Sequence, residues 1–132
     1  MGGAFLCARE AAKGMIDNKS GLIVNISSVW GEVGGSCESV YSASKAAMIG
    51  FTKALAKELG WSGVRVNSIS PGVIDTPMNA RFSAEEMSAL KEEIPMGRIG
   101  TGEDVAKAAV YLEENDYVTG VDIPVNGGFS IV

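Results

Sequence analysis

The sequence contains no histidine among its 132 residues. That absence excludes nucleophile chemistry of the Ser-His-Asp and Cys-His kinds, and it excludes zinc sites of the HExxH type. It also excludes dehydrogenases in which a histidine protonates the product. Any proton transfer in this protein must therefore use a tyrosine, a lysine or a carboxyl group.

Cysteine is scarce as well, since the chain has Cys7 and Cys37 and no others. Two cysteines are too few for a disulfide framework, and these two lack the spacing of metal ligands. We expect both to be reduced thiols and expect no metal site. Cys37 lies between two segments with candidate site residues, so contact with a substrate is the alternative for that thiol.

Long apolar runs are also missing, and none approaches the roughly 20 residues needed to span a bilayer. The N-terminus lacks the basic and apolar regions of a secretory signal. The net charge of −5 argues against nucleic acid, which is bound largely through Lys and Arg. We therefore expect a cytoplasmic protein with no membrane or nucleic-acid partner. A local basic patch for an acidic partner would have to use Arg9, Arg65, Arg81 or Arg98.

A tyrosine and a lysine four residues apart are the most informative feature that is present. Tyr41 and Lys45 lie one helical turn apart on the same face if residues 40–59 are a helix. The ammonium group would favour the phenolate and so make the phenol a better proton donor. Ser28, thirteen residues before Tyr41, follows an apolar run and supplies a second hydroxyl, with Ser27 as its competitor. The pattern predicts a proton donor for carbonyl reduction, and a Tyr41 that merely packs in the core is the alternative.

Helical and strand patterns alternate along the chain. Apolar periodicity predicts helices over residues 4–16 and 40–59, and apolar runs predict strands over residues 22–26, 64–69 and 121–125. The near-continuous apolar run at 22–26 is typical of a strand buried on both faces. This alternation favours a doubly wound, parallel α/β sheet whose strand ends carry the ligands.

Local signals refine that outline. Residues 31–39 are rich in glycine and predict a loop, whereas residues 83–86 and 101–104 have capping-box patterns that begin helices. Pro124 within the last strand predicts a sheet edge.

The helix over 40–59 carries a bulky stripe and a small-residue stripe. The bulky stripe is Met48, Phe51, Leu55 and Leu59, and the small one is Ala43, Ala46, Ala47, Gly50 and Ala54. A helix of this kind packs one face on the sheet and lets a second element approach the other closely. A neighbouring subunit and a segment of the same chain are both open as that element.

Seven segments carry motifs in a fixed order: residues 3–5, 26–28, 41–45, 65–67, 71–76, 97–100 and 119–128. Together they resemble the short-chain dehydrogenase/reductase family, most closely its 3-oxoacyl-acyl-carrier-protein reductase-like members. The chain is similar to the C-terminal part of that Rossmann-type domain, and the Gly-rich N-terminal half is absent from the sequence. The family's additional catalytic asparagine also has no counterpart here.

The resemblance implies roles for individual residues. Tyr41 is the acid, Lys45 its activator and a ligand of the cofactor ribose, and Ser28 a hydrogen-bond donor to the substrate oxygen. The segment Pro71, Gly72, Ile74 and Thr76 meets the nicotinamide, and Asn67 is a structural hydrogen-bonding residue. Residues 28–45 thus form the catalytic segment, 67–76 the nicotinamide segment and 77–97 a Met-containing substrate lid, for which surface packing is the alternative.

The implied activity is NADP- or NAD-dependent reduction of a small-molecule or carrier-bound 3-oxoacyl-like ketone, as in fatty acid biosynthesis, with NADP favoured over NAD. A ketone modification on elongation factor P is an alternative substrate, and a catalytically incomplete chain that acts with other chains is an alternative role. The resemblance also implies a homo-oligomer, a dimer or tetramer, through helices 4–16 and 40–59. Without the Gly-rich phosphate loop, the 132 residues alone are expected to be inactive.

Overall fold

A computed structural model describes all 132 residues of the chain. Its elements, in order, are α1 (Gly2–Asn18), β1 (Gly21–Ile26), α2 (Val29–Val33), α3 (Ser39–Leu59), β2 (Val64–Pro71), α4 (Ala84–Glu92), α5 (Gly102–Glu114) and β3 (Asp122–Val125). Two short 3₁₀ turns, Gly60–Ser62 and Pro77–Arg81, complete the set. None of the helices combines the length and the apolar character that a membrane-spanning segment requires.

The three strands form one parallel sheet in the order β1-β2-β3. Gly21 pairs with Val64 at the start of the β1–β2 ladder, and Ser68 pairs with Asp122 at the start of the β2–β3 ladder. The parallel α/β architecture predicted from the sequence is confirmed. Pro124 lies exposed on an edge strand, also as predicted, because proline has no amide hydrogen to give to a second neighbour.

The hydrophobic core fills the space between the sheet and the pair α1 and α3. Its buried members are Ala8, Ala12, Ile23, Ala56, Leu59, Val64 and Val66. Residues alternate between the two faces of a strand. Arg65 and Asn67 of β2 therefore lie on the opposite face, where they bond the end of α5 and the segment after it. Helices thus cover both faces of the central strand.

Strand β1 departs from the expected burial on both faces. Ile23 and Asn25 are buried, whereas Leu22 and Val24 are half-buried and Ile26 is 46% exposed. Only the side that faces α1 and α3 is fully covered, and the outer edge of β1 has no strand beside it. The prediction from the apolar run was wrong because an apolar sequence does not show which elements cover it.

The Gly-rich stretch predicted as a loop contains a helix. Ser28 accepts a hydrogen bond from the Trp30 amide and caps α2, so the loop is confined to residues 34–38. Cys37 in that loop has a φ of 62°, a left-handed conformation. Both cysteines are free and exposed, as expected of reduced thiols.

Both predicted capping boxes are present. The Ser83 side chain accepts from the Glu86 amide, and the Thr101 side chain accepts from the Asp104 amide. Each acidic side chain reaches back to the capping residue's own amide, so two free donors are satisfied at each helix start.

The two stripes of α3 have different environments. Leu59 of the bulky stripe is buried and Met48, Phe51 and Leu55 are half-buried, whereas all five small residues are exposed. Within these 132 residues, no segment covers the small-residue stripe.

Candidate active site

Two serines follow β1 at the carboxyl end of the sheet, and the structure separates their roles. Both are buried, at 3% exposure for Ser27 and 8% for Ser28. The Ser27 hydroxyl donates to the Lys45 carbonyl oxygen over 2.7 Å. The Ser28 hydroxyl accepts from the Trp30 amide over 3.2 Å, which leaves its own hydrogen available. This difference favours Ser28 over Ser27 as a donor to a ligand.

Tyr41 and Lys45 lie on one face of α3, as their spacing predicts. The Lys45 ammonium nitrogen is 5.6 Å from the centre of the Tyr41 ring. It also donates to the carbonyl oxygen of Ile26 over 3.0 Å, which fixes it at the end of β1, two residues before Ser28. Tyr41 is 41% exposed, so its phenol is accessible rather than part of the core.

The approach of α2 to α3 depends on Gly31. A Cβ atom at that position would lie 2.7 Å from Ser27 Oγ and 2.8 Å from the Lys45 carbonyl carbon. Both distances are shorter than van der Waals contact, so only glycine lets α2 pack this closely beside Lys45. The sequence pattern included Gly31 in a loop and gave no sign of this role.

The segment after β2 is held by contacts on two sides. The Gly72 amide donates to the Val125 carbonyl oxygen, and a Cβ on Gly72 would lie 2.7 Å from Asn126 Cβ. Ile74 forms a parallel bridge with Gly100. Thr76 is exposed and begins the turn Pro77–Arg81. The sequence assigned no site role to Gly100, although it lies in one of the recognised motifs.

A cleft of about 400 Å³ lies between this segment and the C-terminal loop that follows β3, residues 126–132. Its lining includes Val73, Ile74, Met96, Asn126 and Gly127. Tyr41, Lys45 and Ser28 do not line it, whereas Ile74 of the predicted nicotinamide segment does.

Two of the four arginines considered for a basic patch, Arg65 and Arg98, are engaged within the chain. Arg65 donates to the carbonyl oxygens of Leu112, Glu113 and Val118 and so caps the end of α5. Arg98 bonds both oxygens of Asp104 at 2.7 and 3.0 Å.

That ion pair and the backbone N–H of Thr101 hold the pKa of the Asp104 carboxyl far below its usual value, with Arg98 the larger cause. Arg98 therefore stabilises the N-terminal end of α5, and Arg65 stabilises its C-terminal end.

Asn67 is a structural hydrogen-bonding residue, as the resemblance implied. It is fully buried, donates to the Val118 carbonyl oxygen over 3.0 Å and accepts from the Val121 amide over 3.2 Å. These two bonds attach the segment before β3 to the centre of β2.

The residues present fit the ribose and nicotinamide end of a dinucleotide. An ammonium group has three donors. Lys45 gives one to Ile26, so two remain for a ribose hydroxyl and the phenol oxygen. The exposed Thr76 hydroxyl and the turn at Gly72 lie after the neighbouring strand end, where such a ligand binds in open α/β sheets.

The 132 residues contain no GxGxxG segment for a pyrophosphate.

Residues 1–130 match the family model described as enoyl-(acyl carrier protein) reductase. The chain belongs to this family. The match confirms the resemblance to short-chain dehydrogenase/reductases and the Rossmann-type fold class. Among curated relatives, the uncharacterized oxidoreductase YmfI of Bacillus subtilis is 46% identical over 95% of this chain and 52% of its own length. The 3-oxoacyl-[acyl-carrier-protein] reductase of Bos taurus is 47% identical over 98% and 53%.

Solved structures of similar proteins have the same fold as this chain. The crystal structure of 3-oxoacyl-[acyl-carrier protein] reductase from Brucella melitensis superposes with a TM-score of 0.91 at 40% identity, over 98% of this chain and 50% of that one. The structure of ElxO with NADP bound gives 0.88 at 34% identity, over 96% and 53%. The chain spans about half the length of the curated relatives it matches, and the match falls on their C-terminal half.

Proposed function

We propose that this chain supplies the proton-donating part of a nicotinamide-dependent reductase that converts a 3-oxoacyl-like ketone to a secondary alcohol. The observation that carries the proposal is the position of the Lys45 ammonium. It lies beside the Tyr41 ring and is bonded to the end of β1, where Ser28 keeps a free hydroxyl hydrogen. Several relatives are 3-oxoacyl-[acyl-carrier-protein] reductases, which supports the substrate class.

A nicotinamide held by these residues would supply hydride to the carbonyl carbon, and the residues of this chain stabilise and protonate the oxygen on which negative charge develops. The Tyr41 phenol donates its proton to that oxygen, which leaves a phenolate. The Lys45 ammonium stabilises the phenolate electrostatically. The Ser28 hydroxyl donates a hydrogen bond to the same substrate oxygen and orients the ketone.

The cofactor contacts belong to the same proposal. Tyr41 and Lys45 contact the ribose side, while Pro71, Gly72, Ile74 and Thr76 contact the nicotinamide side. NADP is favoured over NAD because the similar ElxO structure has NADP bound. A cytoplasmic location is supported by the two free thiols.

Residues 77–97 act as a substrate lid in this scheme. Met78 and Met96 are 73% and 71% exposed, so flexible apolar side chains are available to meet an acyl chain. Ile94 at the end of the segment is buried, and the Met96 amide donates to the Gly127 carbonyl oxygen. The backbone of the segment is therefore attached to the loop after β3 near the segment's C-terminal end.

Replacing Tyr41 tests the function directly. In a natural polypeptide that carries this segment, Tyr41→Phe removes the proton donor and should lower kcat by roughly 10²–10⁴-fold with little change in cofactor Kd. Lys45→Ala should weaken both, because Lys45 serves both the phenol and the ribose. Turnover is measured as ketone-dependent NADPH oxidation, and cofactor binding by fluorescence titration.

Tyr117→Phe is the matched control, since Tyr117 is 96% exposed and lies near Gly21 and Val64, where β1 and β2 begin, at the end of the sheet opposite Ser28. It should leave kcat unchanged. Near-normal turnover of Tyr41→Phe would overturn the proposed mechanism.

A symmetric oligomer through α1 and α3 also belongs to the proposal. An apolar groove of about 270 Å³ lies between these helices. Phe5 and Phe51 form its aromatic centre, with ring centres 6.0 Å apart. The exposed small-residue stripe of α3 would let a second helix approach closely. The structure of a single chain leaves this surface uncovered.

The isolated 132 residues should not turn over substrate. No Gly-rich loop leads into a helix after the first strand, and the free edge of β1 exposes unpaired backbone groups. Calorimetry of this chain with NADH or NADPH should detect no binding tighter than millimolar. Micromolar binding together with steady ketone reduction would show that these residues form a sufficient site.

A further inference from the structure

Trp30 connects the candidate substrate donor to a distant part of the chain. Its amide donates to the Ser28 Oγ atom over 3.2 Å, at the long end of the usual range for such a bond. Its ring meets the ring of Phe129 edge-on, with the ring centres 5.6 Å apart and the ring planes at 75°. One residue of α2 is therefore bonded to Ser28 through its backbone and in contact with Phe129 through its side chain.

Helix α2 needs such support. It has five residues, and a helix of that length is not stable without tertiary contacts. Gly31 packs against the backbone of Lys45. A Cβ atom on Gly35 would lie 2.9 Å from the Trp30 ring, so the loop that follows α2 also lies close to the indole. Phe129 adds a contact from the C-terminal loop, which follows the last strand of the sheet.

The loop that carries Phe129 is a tight turn closed by its own hydrogen bonds. Gly127 and Gly128 have φ values of 64° and 87°, and the Phe129 amide donates to the Asn126 carbonyl oxygen over 3.1 Å, as in a type I′ turn. The Asn126 side chain donates to the Ser130 carbonyl oxygen and accepts from the Gly128 amide, both at 2.9 Å. These bonds determine where the Phe129 backbone lies relative to the end of β3.

Neighbouring segments hold this turn in place. A Cβ atom on Gly127 would lie 2.8 Å from the side chain of Ile94, which is buried. The Met96 amide donates to the Gly127 carbonyl oxygen over 3.0 Å. Asn126 packs against Gly72 of the predicted nicotinamide segment. Phe129 is therefore carried by a loop that two other segments fix, so its ring is a firm support for Trp30.

We propose that Phe129 is a positioning residue, which holds the Trp30 ring and, through the Trp30 amide, sets the direction in which the Ser28 hydroxyl donates. The inference rests on the role of Ser28 proposed above. The bond from the Trp30 amide is long, so a small shift of α2 would break it. The Ser28 side chain would then be free to rotate away from the substrate oxygen.

The first test measures turnover in two backgrounds, in a natural polypeptide that carries this segment. Phe129→Ala should lower kcat with acetoacetyl-coenzyme A, a 3-oxoacyl thioester, by about tenfold, which is part of the roughly 10²–10³-fold that loss of a whole oxyanion donor costs. Cofactor Kd should not change. In a Ser28→Ala background the same substitution should cause no further loss, because the hydroxyl that Phe129 positions is already absent. A residue that only stabilises the fold would lower kcat by the same factor in both backgrounds.

The second test reads the same contact without turnover, from amide hydrogen exchange. ¹⁵N-tryptophan labels the backbone amides of Trp30 and Trp61, and Trp30→Phe identifies the Trp30 resonance. The Trp30 amide should exchange faster in Ser28→Ala, which removes its acceptor, and also in Phe129→Ala, which removes the ring beside it. Phe129→Tyr keeps the ring and should retain both the slow exchange and the wild-type kcat.

Ile131→Ala is the matched control, because Ile131 lies in the same loop and is 88% exposed. It should change neither kcat nor the exchange of Trp30. If Phe129→Ala prevents folding, Phe129→Leu takes its place in both tests, since leucine keeps an apolar side chain without the ring.

An equal loss of kcat in both backgrounds, or slow Trp30 exchange in Phe129→Ala, would overturn the inference. Failure of the proposed function would show separately, as full turnover in Tyr41→Phe, and would leave the exchange result unchanged.

Discussion

Substituting Gly31 by alanine should separate α2 from the turn of α3 that carries Tyr41 and Lys45. The added methyl group would overlap Ser27 Oγ at 2.7 Å and the Lys45 carbonyl carbon at 2.8 Å. The Ser27 side chain can rotate away, but it then loses its 2.7 Å bond to the Lys45 carbonyl oxygen. The Lys45 backbone lies inside a 21-residue helix and cannot move alone. The shorter helix α2 must therefore shift.

The magnitude follows from two opposing effects. Overpacking of a well-packed site costs about 1–3 kcal/mol. Replacing glycine within a helix by alanine returns about 0.5–1 kcal/mol. We expect Gly31→Ala to lower the free energy of unfolding by about 1 kcal/mol, within a range of roughly 0–2.5 kcal/mol given by the difference between these effects. Turnover should fall as well, because the shift displaces Lys45 relative to Ser28.

Gly14→Ala is the matched control, since Gly14 lies in α1 and an added Cβ meets no atom within 4 Å. It should raise the free energy of unfolding by about 0.5–1 kcal/mol. Urea unfolding of both variants, in a natural polypeptide that carries this segment, measures the difference. If Gly31→Ala were as stable as Gly14→Ala, the close packing of α2 on Lys45 would be refuted.

Two further changes test the surface and the caps. Ala54→Arg places a long cation in the exposed small-residue stripe, so sedimentation should show a monomer. The neighbouring change Lys53→Arg is the control and should leave the oligomer intact. An oligomer that survives Ala54→Arg would show that the interface lies elsewhere. Asp104→Asn removes the carboxylate that Arg98 and the Thr101 amide stabilise. Because the pKa of Asp104 is lowered, its stabilisation is present above the ordinary value of 3.8 and is lost as the pH falls below it. The wild type should therefore become less stable between roughly pH 4 and 2, and the decrease should be smaller in Asp104→Asn. An unchanged acid profile would show that the ion pair contributes nothing.

The sequence by itself determined the features that depend on local spacing. The four-residue interval places Tyr41 and Lys45 on one helical face in any helix, and the capping residues Ser83 and Thr101 begin their helices because their side chains bond amides three positions later. Alternation of strand and helix patterns likewise determined the parallel sheet, because parallel neighbours need a long crossover connection.

Only the tertiary structure decided the features that depend on what is brought from a distance. Lys45 bonds the carbonyl oxygen of Ile26, Gly31 lets α2 lie against the backbone of Lys45, and Asp122 accepts from the hydroxyls of two serines, Ser68 and Ser70. Each of these contacts joins residues far apart in sequence, so no local pattern predicts it. The burial of β1 was misjudged for the same reason. Apolar residues show what a strand can bury, but the elements packed around it decide which face is covered and which edge stays free.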